Sequence, residues 1–258
     1  MNVNINKKKW NPTSHNFTFE IFTFGQHCNS VIYDVAIINE NNIWAVGEIY
    51  MNDSLGNPDP SLYNIIRWDG ISWKPERIYY KDNQGQAFLA PLNTIFTFNE
   101  NNIWLGSDIV FHWDGTTYKS IVIPDAVFNN WINKIWGSSS NDIYIVGNNG
   151  NIALYQNGTW TKIESNTTLP IRDIYGIKKQ NNENFEILSV ADSYGSNEGS
   201  KIISIVDNSA KTIWNDGRPY GLVSIWFIPN RKYFAVGDGL WESLTSTTNW
   251  VKNISFPK

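Results

Sequence analysis

The chain has little to cross-link it and little to charge it. Its 258 residues hold one cysteine, Cys28, which excludes an intrachain disulfide and fits either the cytosol or a bacterial secreted protein that does without disulfides. Charged residues make up 17% and the net charge is −4, so the basic face of a nucleic-acid binder is missing. The one short basic run, Lys7–Lys9 beside Trp10, reads as a solvated amino-terminal arm. No apolar run approaches the roughly 18 residues of a membrane span. The opening MNVNINKKKW lacks the apolar centre of a signal peptide, so an exported form is expected to carry its signal upstream. Helical periodicity is absent over any window of about twelve residues. The three histidines, His15, His27 and His112, have no metal-ligand spacing, and no Walker or dinucleotide glycine loop occurs; GNNGN at 147–151 reads as a hairpin turn. Cys28 follows His27, but neighbours on a strand point to opposite faces, which places that pair badly for nucleophilic catalysis.

What the chain has in quantity is aromatic side chains and repeats. Aromatics are 15% of the sequence and 13 of them are tryptophan. They run the whole length, which points to one packing role used many times. Residues 33–47 read YDVAIINENNIWAVG, 93–106 NTIFTFNENNIWLG and 133–147 NKIWGSSSNDIYIVG. Looser copies are RDIYGIKKQNNENFEILSVAD at 172–192 and VSIWFIPNRKYFAVGD at 223–238. Successive copies lie roughly 40 to 60 residues apart, the period of propeller blades.

Each copy has an apolar strand, an Asn/Asp turn and a second strand closed by glycine, the punctuation of a hairpin. A second hairpin follows: RWDGISW at 67–73, HWDGTTY at 112–118 and YQNGTW at 155–160. Asp-Gly and Asn-Gly favour two-residue turns with positive φ at both positions. Such turns would set Trp68 beside Trp73, Trp113 beside Tyr118 and Tyr155 beside Trp160. Each unit therefore reads as a four-stranded antiparallel meander, and such sheets bury both faces by stacking radially. The sequence predicts an all-β propeller of about five blades, in a closed or a partial ring. Its units are 31–80, 88–124, 128–165, 168–215 and 218–258, after an arm at 1–15. Residues 16–24, NFTFEIFTF, alternate apolar and polar and are expected as an extra terminal strand pairing with the carboxy-terminal unit.

The runs TSHNFTFEIFTFG, VIYDVAIINENNIWAVGEIYMNDSLG, IWGSSSNDIYIVGNNGNIALYQNGTW and IWFIPNRKYFAVGDGLWE resemble a family of bacterial secreted β-propeller proteins. These come from Ignavibacteria-like lineages and carry tandem W-G-S-S-x-x-D-I-[WY]-x-V-G repeats. The resemblance spans residues 12–258. It implies export to the medium or the cell surface, and relatives tend to continue for further blades.

Aligning the units gives the candidate sites. The residue after the second strand is Glu48, Asp108, Asn148, Asp192 and Asp238. A ring of carboxylates would suit a hard cation such as Ca²⁺; a turn position that favours Asp or Asn is the simpler explanation. A polar slot at the start of the first strand holds Asp34, Thr94, Lys134, Asp173 and Ser224, the variation expected of a channel lining. Asp34 and Asp173 are its acids, with Glu20 a third acid able to approach the inner strands, but no pair is marked for glycoside hydrolysis. Aromatics in or beside the connecting loops, Tyr50, Tyr79, Tyr80, Trp131, Tyr194, Tyr220 and Trp241, are candidates for stacking on a sugar or anchoring a peptide. The sequence is thus read as a non-catalytic extracellular binding module for a protein or glycan. The alternatives are a glycan-binding or glycan-processing propeller and a scaffold subunit of a surface assembly.

Overall fold

The structure, a computed structural model, describes residues 18–81, 86–179, 184–193, 196–247 and 249–253. The arm with Lys7–Lys9 and His15, and the candidate Tyr194, lie outside the described residues. Blade 1 is β1 (Val31–Asn39), β2 (Asn42–Ile49), β3 (Tyr63–Trp68) and β4 (Trp73–Glu76). A small hairpin, β5 (Tyr80–Lys81) with β6 (Ala87–Phe88), leads to blade 2: β7 (Thr94–Asn99), β8 (Asn102–Gly106), β9 (Val110–Trp113) and β10 (Tyr118–Ile121). Blade 3 is β11 (Ile132–Ser139), β12 (Asp142–Gly147), β13 (Ile152–Gln156) and β14 (Thr159–Ile163). Blade 4 is β15 (Ile171–Lys178), β16 (Phe185–Ala191), β17 (Lys201–Val206) and β18 (Ser209–Trp214). Blade 5 is β19 (Ser224–Ile228), β20 (Lys232–Val236), β21 (Leu240–Ser243) and β22 (Val251–Lys252). Every blade pairs its strands in sequence order, and the first strands of all five line one central cavity. The chain is an all-β propeller of five four-stranded antiparallel blades.

The turns explain the repeat's vocabulary. Asn39 and Asn99 each accept the N–H two residues on, at 2.9 Å, and so close the first hairpin of blades 1 and 2. In the second hairpin the Asn-Gly prediction holds: Asn157 and Gly158 both have positive φ, 49° and 86°, between β13 and β14. The Asp-Gly pairs differ. Only the glycine is left-handed, at Gly70 and Gly115, and the turn spans four residues. Asp69 and Asp114 accept the N–H groups two and three residues on, at 2.8 to 3.0 Å. A carboxylate that already accepts two amides has no need of a left-handed backbone. The expected ring pairs form across all three hairpins, with centroids 5.6 Å apart for Trp68–Trp73, 4.6 Å for Trp113–Tyr118 and 5.0 Å for Tyr155–Trp160. Trp68 and Trp113 also donate Nε1–H to Glu40 and Glu100 carbonyls in the first turn of their blades, tying the two hairpin ends together.

Residues 18–24 depart from expectation. They form no strand; Phe22 lies 5.6 Å from Trp68 and Phe24 5.4 Å from Trp73. Blade 5 already has its fourth strand in β22, paired with β21 through Trp241↔Lys252 and Glu242↔Val251. Two phenylalanines resting on a tryptophan pair replace the ladder that the alternating pattern suggested.

Four hydrophobic clusters fill the seams between blades 1 and 2, 2 and 3, 3 and 4, and 4 and 5. Among the described residues no such cluster joins blade 5 to blade 1. The same position of the first strand records this: Ile95, Ile135, Ile174 and Ile225 are 3, 0, 2 and 2% exposed, and Val35 is 52%. Each covered isoleucine contributes about 1.5–3 kcal/mol of transfer free energy; Val35 in this arrangement contributes little.

Candidate functional site

The central cavity has a volume of about 390 Å³ and draws its walls from β1, β7, β11, β15 and β19. Its polar side is the slot read from the sequence, and the slot turns out to be a chain of blade-to-blade hydrogen bonds. Asp34 of blade 1 accepts from Thr94 Oγ1 and from Ile95 N of blade 2, both at 3.0 Å. Thr94 Oγ1 in turn accepts from Ile135 N of blade 3 at 3.2 Å. Asp173 of blade 4 accepts from Ser224 Oγ at 2.7 Å and Ile225 N at 2.9 Å in blade 5. Asp34, Thr94 and Asp173 thus each accept the N–H that follows the slot residue of the next blade. Lys134 has no acceptor to offer, and there Ile174 N turns to its own Asp173 at 2.9 Å. Val35 N likewise turns to its own Asp34 at 3.0 Å.

Lys134 does something else. Its Nζ crosses to both oxygens of Asp34, at 2.8 Å each, and the two side chains are largely covered. The charge of Lys134 also acts on Asp173. Asp173 is buried, and burial pushes its carboxyl above the ordinary carboxylate range; the bonds from Ser224 and Ile225 and the Lys134 charge pull the other way. The slot thus brings together two of the predicted residues, Asp34 and Asp173, around a cation the sequence reading had treated as mere variation. Both carboxylates accept from three or more donors.

The other predicted residues are kept apart. The positions after the second strand are local ties: Asn148, Asp192 and Asp238 each donate N–H to the carbonyl just before their own first strand, at Trp131, Pro170 and Tyr220, 3.3, 3.1 and 2.7 Å away. Their side chains are engaged too. Asp192 accepts from Ser200 Oγ and from the Tyr220 and Leu222 amides, and Asp238 from Trp241 Nε1 and Lys252 Nζ. Glu48 accepts from the Tyr50 hydroxyl at 2.7 Å, which raises the Tyr50 pKa. Asp108 stands in a separate surface hollow with Asp125 and Trp131. Glu48, Asp108, Asp192 and Asp238 therefore form no common cation ring. Among the described residues no three His, Cys, Asp or Glu side chains gather as a metal site requires.

Tyr220 and Trp241 do meet, with centroids 4.2 Å apart, but against Trp214 and beside the blade 4–5 cluster. Trp241 pairs across the sheet with Ala235, where other blades place Ile66, Phe111, Ala153 and Ile203 in the same register. It is a seam residue. Tyr50 packs near His27, 5.8 Å away, and does not line the central cavity. Tyr80 stacks on Phe88, while Tyr79 and Trp131 remain half-exposed singles. Cys28 and His27 are closer than strand geometry implied: residues 26–28 bend, Cys28 has φ of 57°, and His27 Nδ1 sits 3.2 Å from its Sγ.

A scan against protein-family models finds no match, and no curated protein sequence matches either. Solved structures do match in shape. A structure described as YCF48 bound to D1 peptide is 16% identical, with TM-score 0.57, over 86% of this chain and 68% of that one. The WD40 β-propeller domain of Doa1 is 9% identical, with TM-score 0.53, over 89% of this chain and 70% of that one. The extracellular domain of a putative hybrid two-component system from B. thetaiotaomicron is 15% identical, with TM-score 0.58, over 90% of this chain and 28% of that one. At these identities the likeness is one of fold: the chain shares the propeller architecture of these structures.

Proposed function

We propose that this propeller is a non-catalytic, extracellular binding module that takes an extended peptide segment of a partner protein at the polar mouth of its central cavity. The observation that carries the reading is the Asp34–Lys134–Asp173 cluster set in a cavity that all five blades share. An ammonium has three donors, so Lys134 can bond a backbone carbonyl or a carboxylate while still held by Asp34. The apolar walls, with Phe96 and Tyr175 among them, suit a side chain beside it. Main-chain polar groups with a neighbouring apolar side chain are what an extended peptide offers. A YCF48 structure holds a peptide, and another neighbour is an extracellular domain; both support the reading by analogy of fold.

The glycan alternative has less to stand on. Sugar stacking needs open ring faces, and the Tyr220 and Trp241 rings lie against one another and against Trp214. The test is a parallel screen of the purified chain on a random-peptide array and a glycan array, repeated with Lys134→Ala. Peptide binding that falls at least tenfold in the variant is the expected result. Glycan binding that is indifferent to Lys134 would overturn the reading.

A further inference from the structure

A hollow of about 490 Å³ lies where blade 2 hands over to blade 3. Asp108, just after β8, lines it together with Asp125, Phe128, Asn129, Asn130 and Trp131 from the stretch between β10 and β11. Trp131 is 49% exposed. Every other described tryptophan touches at least one aromatic ring; among the described residues Trp131 touches none. Its backbone is nonetheless fixed on both sides. Its N–H donates to Asn130 Oδ1 at 2.8 Å, its carbonyl accepts from Asn148 N at 3.3 Å, and Ile132 N donates to the Ser107 carbonyl at 2.7 Å. An anchored strand end thus holds an open indole at the rim of the hollow.

The charges in the hollow are as open as the ring. Asp108 and Asp125 are exposed, and among the described residues neither carboxylate accepts a hydrogen bond or forms an ion pair. No lysine, arginine or histidine lines the hollow. The corresponding hollow one blade on, of about 380 Å³, answers its own acids. There Lys162 pairs with Glu164 at 2.7 Å, and Glu198 accepts from the Thr167 and Thr168 hydroxyls and from Lys201 Nζ at 2.9, 2.7 and 2.6 Å. Hollows elsewhere hold Arg67 with Glu76, Lys74 with Asp69, and Lys232 with Glu242. The Trp131 hollow keeps two carboxylates and a ring face without a cation. A planar guanidinium fits both, with its face on the indole and its N–H edge on the carboxylates. A neutral sugar would use the ring and leave the charges unmatched.

We infer that this hollow takes an arginine side chain of a partner protein, its guanidinium stacked on Trp131 and bonded by Asp108 and Asp125. The hollow stands at the end of the ring where the polar slot lies. Trp131 precedes Lys134 by three residues of extended chain, about 10 Å at the rise of a strand. A segment lying over Lys134 therefore reaches the hollow with a side chain a few residues away. That one segment makes both contacts rests on the peptide reading of the central cavity; the arginine pocket itself does not, because Lys134 does not line it.

Indole N–H signals in the NMR spectrum of the full chain test the pocket, with the Trp131 signal identified by Trp131→Phe. Titration with N-acetyl-arginine amide should move that signal at roughly millimolar concentration. N-acetyl-citrulline amide, of the same shape without the charge, should leave it in place. Asp108→Asn combined with Asp125→Asn should weaken the arginine response about tenfold and leave the other indole signals where they are, since neither carboxylate is bonded to the fold. Lys134→Ala should not alter the titration, so failure of the cavity reading and failure of this one are told apart. No movement up to about 50 mM arginine amide would overturn the inference. So would an equal response to citrulline amide, a response indifferent to the two Asp→Asn changes, or a methyl glucoside that moves the Trp131 signal where arginine amide does not. Peptides that need Lys134 should in turn bind about tenfold more weakly when their arginine is replaced by citrulline; no loss would overturn the claim that one segment makes both contacts.

Discussion

The seam between blades 4 and 5 and the gap between blades 5 and 1 are built from the same parts and end in opposite states. In the sealed seam Ile225 and Phe227 pack under Leu188, Val190 and Ile202, and Asp173 reaches across to Ser224 and Ile225 N. At the gap Trp226, Val35 and Ile37 offer the same kinds of surface and stay exposed, and among the described residues no hydrophobic cluster joins the two blades. Residue type does not decide which seam is sealed; the presence of a facing sheet does. Stability should therefore reside in the four packed seams, and the gap should tolerate change.

The sharpest way to break that comparison is truncation at matched positions. Ile135→Ala should lose about 2–5 kcal/mol in urea unfolding, the range for emptying a packed core site. Val35→Ala, at the equivalent position on the gap, should stay within about 0.5 kcal/mol, as surface changes do. Equal losses would show that Val35 is covered after all.

Next in size is the slot itself. Asp173→Ala should cost about 1–3 kcal/mol, since it strips the buried Ile225 amide and Ser224 hydroxyl of their partner, and Asp173→Asn should cost less. The pH response has a definite sign. The folded state holds the Asp173 proton at pH values where the unfolded chain has released it, because the folded pKa is raised. Stability from this group falls as pH rises above the ordinary 3.8 and levels off past the folded pKa. Melting curves across that window should flatten in Asp173→Asn.

His112 runs the other way and more weakly. Burial lowers its pKa; its ring sits 4.8 Å from Trp104, and its Nε2 is 2.8 Å from Asn102 Oδ1. The unfolded chain takes up the proton first, so stability present above the ordinary 6.5 is lost as pH falls below it. His112→Gln should remove this dependence. The smallest effect belongs to the surface: Lys74→Ala breaks the exposed pair with Asp69 and should change stability by under about 0.5 kcal/mol.

Much of this was legible in the chain. The hairpin grammar placed all five blades, because period-2 alternation and Asn, Asp and Gly turns are local signals. The ring pair Tyr155–Trp160 followed from the two-residue turn between its members, whereas Trp68–Trp73 and Trp113–Tyr118 form across four-residue turns that the Asp-Gly pattern did not foretell. The polar slot was legible as a column of residues, yet its meaning was not: Lys134 appeared as variation among acids, and only three-dimensional adjacency of blades 1, 3 and 4 shows it as the cation they share. The acid column at Glu48, Asp108, Asp192 and Asp238 admitted two readings because a side chain chosen to accept local donors looks, in sequence, like a metal ligand. Trp241 misled in a similar way, since a seam aromatic and an exposed one share a letter. The 16–24 pattern suggested a strand because alternation reports two chemically different faces, not a ladder partner. Ring closure was beyond sequence for the reason the gap makes plain: the blade 1 and blade 5 rows read like those of sealed seams.

Thiol labelling tests the central claim most directly. In a Cys28→Ser background at low micromolar concentration, Val35→Cys and Ile95→Cys place one thiol at the same blade position, one at the gap and one in a sealed seam. The account predicts that the thiol at 35 reacts with a maleimide at nearly the rate of an unfolded control, while the thiol at 95 stays protected until global unfolding. Equal protection of both would contradict it.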